Sequence, residues 1–295
     1  VPLAQGIFGI RSLDFGAMAE RASAATGVSW TSNLADVVRL AFVEPGLWLL
    51  LLGSAVPTIA ALSMLAISHD LSGLKAWFAR FGPGLIWRHA TWRSAAAIAL
   101  VLLGVVAMLL LVYEMRRCIG LDYRRPQVHL SGALALALLT GMFLDQGALL
   151  EEGGWRGYAA PLLQESGVTA LYAALVVGLA WGAWHVPRDI VSGIVHEQGL
   201  AVYVLAYFPA FLAGTMSVSV IAAYCVNRFG GSVLPAIAIH GLTNDAVGIA
   251  GTAEIAVALT PLHQLTKAIP FAVLAGVIVM IAGPSLGWRT VNKQG

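Results

Sequence analysis

The chain alternates long apolar runs with short polar punctuation. Seven runs approach the roughly 20 residues that a helix needs to cross a bilayer. They fall at 46–68, 94–113, 131–150, 169–186, 200–226, 232–250 and 269–286. Between them stand charged or turn-forming stretches: RRPQ at 124–127, PRD at 187–189 and RFGGS at 228–232. Continuous apolar runs of this length read as helices, so the pattern predicts an all-α polytopic membrane bundle of about seven (six to eight) transmembrane helices.

Two stretches break the pattern. Residues 1–44 mix Arg11, Asp14, Glu20, Arg21, Asp36 and Arg39 with apolar positions. That is too charged for a span, and an interfacial or mobile segment is expected there. The connector 69–93 interleaves Lys75, Arg80, Arg88 and Arg93 with Trp77, Phe78, Phe81, Trp87 and Trp92. Such a mixture suits a helix or loop at headgroup depth. The expected organisation is therefore an N-terminal segment 1–44, a transmembrane bundle 45–287 with a catalytic core at about 131–250, and a polar tail 288–295.

Composition sharpens the class. Of 295 residues, 59% are hydrophobic and 11% charged, and the mean hydropathy is +0.81. Soluble domains carry roughly 25% charge. A multi-pass integral protein of the cell (plasma) membrane is expected, with the lipid bilayer as its first partner. The net charge of +2 and the lack of a long basic run give no reason to expect nucleic acid. Two cysteines, Cys118 and Cys225, make no disulfide framework. No cleavable leader is evident. Orientation stays open: with seven spans, nine Lys and Arg fall on the N-terminal side and eight on the other, so the positive-inside rule does not decide.

Against this background the ionisable groups stand out, because each costs at least about 2.5 kcal/mol at the centre of a membrane helix. Three clusters matter. EEGGWRG (151–157) ends the third run. On a helix Glu152 and Arg156 are i,i+4 neighbours and can pair, which leaves Glu151, about 100° round the helix, unpaired and available for chemistry. LAWGAWHVP (179–187) places His185 one turn after Trp181. LPAIAIHGLTND (234–245) places His240 and Asn244 on one helical face. Taken singly, these residues also suit helix ends and interhelical hydrogen bonds. Together they are the equipment of a hydrolase. A Glu with a neighbouring His activates water as general base, and a His with an Asn donates hydrogen bonds to an oxyanion. The alternative chemistry is a divalent metal such as zinc held by Glu151, His185 and His240, with water in the open position.

The three motifs, EEGGWRG, then WGAWHVP, then SVLPAIAIHGLTN, resemble those of the CPBP intramembrane proteases, also called the Abi family. This family groups CAAX-type prenyl endopeptidases with bacteriocin-processing relatives. Its pattern is EExxxR, then an aromatic residue four positions before a His, then HxxxN, and the chain matches it in order over 151–244. The resemblance implies that Glu151 and His185 activate the attacking water, that His240 and Asn244 serve the oxyanion, and that Glu152 and Arg156 support the first motif. It implies an endopeptidase, named a metalloprotease at family level, acting on a peptide or a lipidated protein. Trp181 stands where Phe is commoner, and Ala236 where some members have an aromatic residue.

Rival proteolytic schemes lack their signatures. No HExxH is present, since His196-Glu197-Gln198 is not completed by a second His. No serine GxSG or aspartyl GxGD motif occurs either. A different class stays open: a non-catalytic membrane factor, of immunity or transport type, or a scaffold that keeps the polar cluster for binding or packing. The polar motifs occur once each, without the inverted repeat common in transporters.

Overall fold

A computed structural model describes residues 14–28, 30, 33–68, 71–121, 139–249 (backbone alone for 245–249) and 260–288. The helices start where the sequence supplies caps. The Asp14 carboxylate accepts from Ala17 N at 2.9 Å and opens α1 (Phe15–Thr26), and Asn33 does the same for α2 (Leu34–Val43). After α3 (Leu47–Ser68) come the short α4 (Leu71–Ala79) and α5 (Gly84–His89). Thr91 and Ser94 form a capping box that starts α6 (Trp92–Cys118). Asp145 caps α7 (Gln146–Gly154), which runs through a widened π-turn (Trp155–Ala159) into α8 (Ala160–Glu165). Then follow α9 (Ala170–Val191), α10 (Ile194–Gln198), α11 (Leu200–Arg228), α12 (Leu234–Ile249) and α13 (Pro261–Ala282).

Five of these helices, α3, α6, α9, α11 and α13, are long and apolar enough to cross a membrane. The chain is a helical membrane bundle. The run 232–250 becomes α12, with 16 residues. At 1.5 Å per residue its described part is about 24 Å long. Its apolar positions face protein: Ala236, Ile237 and Ile239 are buried. Most of the run 131–150 lies outside the described residues. Its described end is interrupted at Asp145, whose backbone bridges to Asn33.

The core sits around α11, which packs against α9 and α13 along most of its length and against α12. Val105 of α6, Trp181 of α9, Ile221 and Cys225 of α11, Ile239 of α12 and Phe271 of α13 meet there. Leu100, Leu103, Met280 and Ile281 point outward, as expected of lipid-facing positions. The N-terminal segment, where described, forms α1 and α2 against α3 through Ala22, Val37, Leu40, Leu47 and Leu51, with Leu150 alongside.

The aromatic connector divides. Phe78, Trp87 and Trp92 are exposed, in keeping with headgroup depth. Trp77 corrects the expectation. It is buried among Phe78 and Phe81, and its indole donates to Gly153 O at 3.0 Å. This insertion, with the close passage of α3, explains the two glycines of EEGGWRG. A Cβ at Gly153 would lie 2.8 Å from the Trp77 ring, and one at Gly154 would lie 2.3 Å from the Pro57 carbonyl carbon. Only glycine lets α7 approach α3 so closely.

Four contacts fix which helix ends meet. Arg116, near the end of α6, donates to Thr266 Oγ1 near the start of α13 at 2.9 Å. Asp189, at the end of α9, accepts from Tyr203 OH near the start of α11 at 2.9 Å. Asn244 of α12 reaches Asp145 at the start of α7, and Lys267 of α13 reaches Thr243 of α12. The ends of α6, α9 and α12 therefore share one end of the bundle with the starts of α7, α11 and α13.

Candidate active site

At that end the side chains of three helices converge. On α7 the helical period places Glu151 and Glu152 on adjacent faces. Both are buried. Glu152 Oε1 accepts from Arg156 Nη1 at 2.9 Å, the i,i+4 pair, and also faces His240 Nδ1 at 2.9 Å. One carboxylate oxygen thus ties the first motif to the third. A carboxylate only accepts here, so Nδ1 of His240 carries a proton and Nε2 is the open ring nitrogen. The Arg156 guanidinium is buried and stacks over Trp181 at 4.9 Å from the ring centroid.

Glu151 is not unpaired, as the helical wheel alone suggests. Trp181 Nε1 donates to its Oε2 at 2.7 Å. Trp181 also organises both histidines. Its carbonyl accepts from His185 Nδ1 at 2.8 Å, its ring meets His240 edge-on at 4.7 Å between centroids, and it lies 6.0 Å from His185. A carbonyl oxygen only accepts, so His185 donates through Nδ1 and keeps Nε2 open. Among the described residues, Glu151 and His185 are linked through Trp181 rather than directly to each other. His185 is half-buried and packs on Phe211 at 5.1 Å. Asn244 is exposed at the mouth, and its Nδ2 donates to Asp145 Oδ1 at 3.1 Å.

The family model for type II CAAX prenyl endopeptidase Rce1-like proteins matches residues 128–246. Over these residues the chain is similar to the CAAX proteases. No curated protein matches the chain. The CAAX protease match spans α7 to α12, so it contains all six motif residues: Glu151, Glu152, Arg156, His185, His240 and Asn244.

In the structure two further residues join the cluster. Asp145 is buried, caps α7 through Ala148 N at 2.6 Å, and holds Asn244 with the same oxygen. Its only sequence signal is an Asp directly before a helical run, which reads as an ordinary N-cap. Gly147 sits beneath them: a Cβ there would meet Asn244 Nδ2 at 3.2 Å and Glu151 Oε1 at 3.6 Å. A lone Gly in an apolar run gives no such warning. Trp181 was visible as an aromatic position, but not as the donor to Glu151.

The expected metal ligands do not form a ligand set in this geometry. Zinc needs three or four donors at about 2.0–2.3 Å. Among the described residues, no three His, Cys, Asp or Glu side chains gather closely enough to hold an ion. Trp181 is the physical reason, because its ring stands against both imidazoles and its N–H occupies Glu151. The chemistry is therefore derived from the side chains themselves.

Proposed function

We propose that the chain is an intramembrane endopeptidase that hydrolyses a peptide bond with water activated by Glu151 and His185. The supporting observation is the convergence of three motif helices on Trp181, which fixes the carboxylate and presents two imidazoles, each with one ring nitrogen open. Glu151 Oε1 takes the proton of a water that His185 Nε2 orients. The oxygen attacks the scissile carbonyl carbon. The resulting oxyanion takes hydrogen bonds from the second Asn244 N–H and from His240 Nε2–H when that ring carries its second proton. Glu151 then hands its proton to the departing amine. Glu152 and Arg156 hold the His240 ring and the end of α7.

Membrane placement and the family's description support a peptide bond near the C-terminus of a prenylated protein as substrate. A peptide leader or an unprenylated membrane-protein tail has the same reacting group. The cell membrane is the proposed site of action.

The test is cleavage in liposomes of fluorogenic peptides, prenylated and unprenylated, by wild type and Glu151→Gln. The isosteric variant keeps the Trp181 contact and loses the base. Its kcat is expected to fall by at least about 100-fold, as for loss of a general base, with an unchanged melting temperature. Equal cleavage by both proteins removes Glu151 as the base and favours a binding protein or scaffold. A chelator in the same assay reads metal dependence.

A further inference from the structure

The chemistry above leaves Lys267 unused. It lies in the second turn of α13, a helix long and apolar enough to cross a membrane, where cations are rare and tend to carry function. It is half-buried. Among the described residues its ammonium makes one hydrogen bond, from Nζ to Thr243 O at 3.2 Å, and belongs to no ion pair. Thr243 lies next to Asn244 and three residues after His240, so the ammonium stands at the mouth of the site. An ammonium has three N–H groups and no acceptor, and two of them are uncommitted.

The surrounding charges do not supply a counter-ion. Arg116 of α6, Arg188 of α9 and Asp145 are the charged groups close enough to act on Lys267. Arg188 donates to Asp189 Oδ1 at 2.6 and 2.9 Å, and Tyr203 OH occupies Asp189 Oδ2. Arg116 donates to Thr266 and to His263 O. Asp145 spends Oδ1 on Ala148 N and Asn244, keeps Oδ2 without a hydrogen-bond partner, and forms no ion pair with Lys267. Three cations from three spans thus act on one another at the mouth, and among the described residues no carboxylate pairs with Lys267.

We propose that Lys267 is the carboxylate-binding residue of the substrate site, seating a peptide carboxylate beside Asn244. This rests on the hydrolase reading and deepens it. A docked carboxylate accepts from the two unused N–H groups and neutralises a cation that the fold leaves unpaired. The neighbouring guanidinium groups attract it over a longer range. The free C-terminus of a substrate and an Asp or Glu side chain offer the same chemistry. Binding there would set the position of the cut relative to the carboxylate, and would favour peptide bonds close to a chain end.

The experiment compares three otherwise identical fluorogenic peptides: a C-terminal acid, its amide, and an amide with Asp as the last residue. Wild type, Lys267→Met and Lys267→Arg are assayed in liposomes, and binding of the same labelled peptides is read by fluorescence anisotropy. The expected result is a fall of about tenfold or more in kcat/KM for the acid in Lys267→Met. The fall is carried by KM, the amide is cleaved alike by both proteins, and Lys267→Arg restores the acid to within threefold. Unimpaired amide cleavage also shows that the variant is folded; Lys267→Gln replaces Lys267→Met if it is not. If the advantage follows Asp in the amide, the site stands with a side chain as its source. Equal losses on acid and amide, or none on either, overturn it. If wild type cleaves no peptide, the hydrolase reading fails and anisotropy decides. Tighter acid than amide binding, abolished in Lys267→Met, upholds the subsite; equal binding overturns it.

Discussion

A buried carboxylate keeps its place in a membrane bundle only where it finds donors for its charge. Glu152 finds Arg156 and His240, and Glu151 finds the Trp181 indole. Removing one member of a buried pair strands the other, at a cost of about 3–5 kcal/mol. Arg156→Met is therefore expected to lower the melting temperature sharply as well as activity, whereas Glu151→Gln lowers activity alone; thermal unfolding in detergent beside the cleavage assay separates them. Trp181→Phe keeps the ring and loses the N–H that fixes Glu151. Its kcat is expected to fall about tenfold or more, with KM within threefold, since truncating a donor to a charged group costs about 1.5–3 kcal/mol. Asp145→Ser retains an N-cap but is too short to hold Asn244, while Asp145→Asn retains both functions. Kinetics of the two should show Ser losing kcat and Asn keeping most of it; equal losses would reduce Asp145 to its charge.

At the scale of elements, α7 is placed by the absence of side chains as much as by their presence. Gly153 and Gly154 let it lie against Pro57, Thr58 and Trp77. The Thr58 hydroxyl accepts from Gly154 N at 3.1 Å, which meets a backbone donor where the helix widens into its π-turn. Gly154→Ala forces the two backbones apart. The expected cost is at the upper end of overpacking, about 3 kcal/mol, and Glu151 and Glu152 shift with the helix. Gly276→Ala is the matched control. Nothing lies within 4 Å of a Cβ there, so α13 should tolerate it or gain slightly from the better helix former. Melting temperatures of the two variants in one detergent check the contrast. If both behave alike, close approach of α7 and α3 does not hold the site.

At the scale of the whole molecule, the end-to-end contacts make the site one-sided. The end of α6 and the end of α9 share its face of the bundle. Cys118, at the end of α6, is exposed, and Cys225 is buried in the core. In sealed vesicles of known orientation, an impermeant maleimide should label Cys118 from the same side as a cysteine introduced by Glu197→Cys, at an exposed position just after α9, and should spare Cys225. Labelling of 118 and 197 from opposite sides would break the arrangement on which both the site and the Lys267 subsite depend. The same experiment settles the orientation that a nine-to-eight charge count leaves open.

The sequence by itself determined the class and the motif. Long apolar runs with few charges have no stable alternative to helices in lipid, because backbone groups must pair internally. Among the described residues, five runs became helices long enough to cross a membrane. The i,i+4 spacing dictated the Glu152–Arg156 pair, since helical geometry is local. Contacts between helices have no such local rule. Only the tertiary structure decided that Glu152 also holds His240, 88 residues away, that Trp181 donates to Glu151, and that Asp145 and Asn244 meet across 99 residues. It also buried Ala236, Ile237 and Ile239 of α12, drew Trp77 inward, and brought Lys267, otherwise one charge among seventeen Lys and Arg, to the mouth of the site. Hydropathy measures what a side chain loses in lipid; which partner compensates that loss depends on packing, and packing is a property of the folded chain.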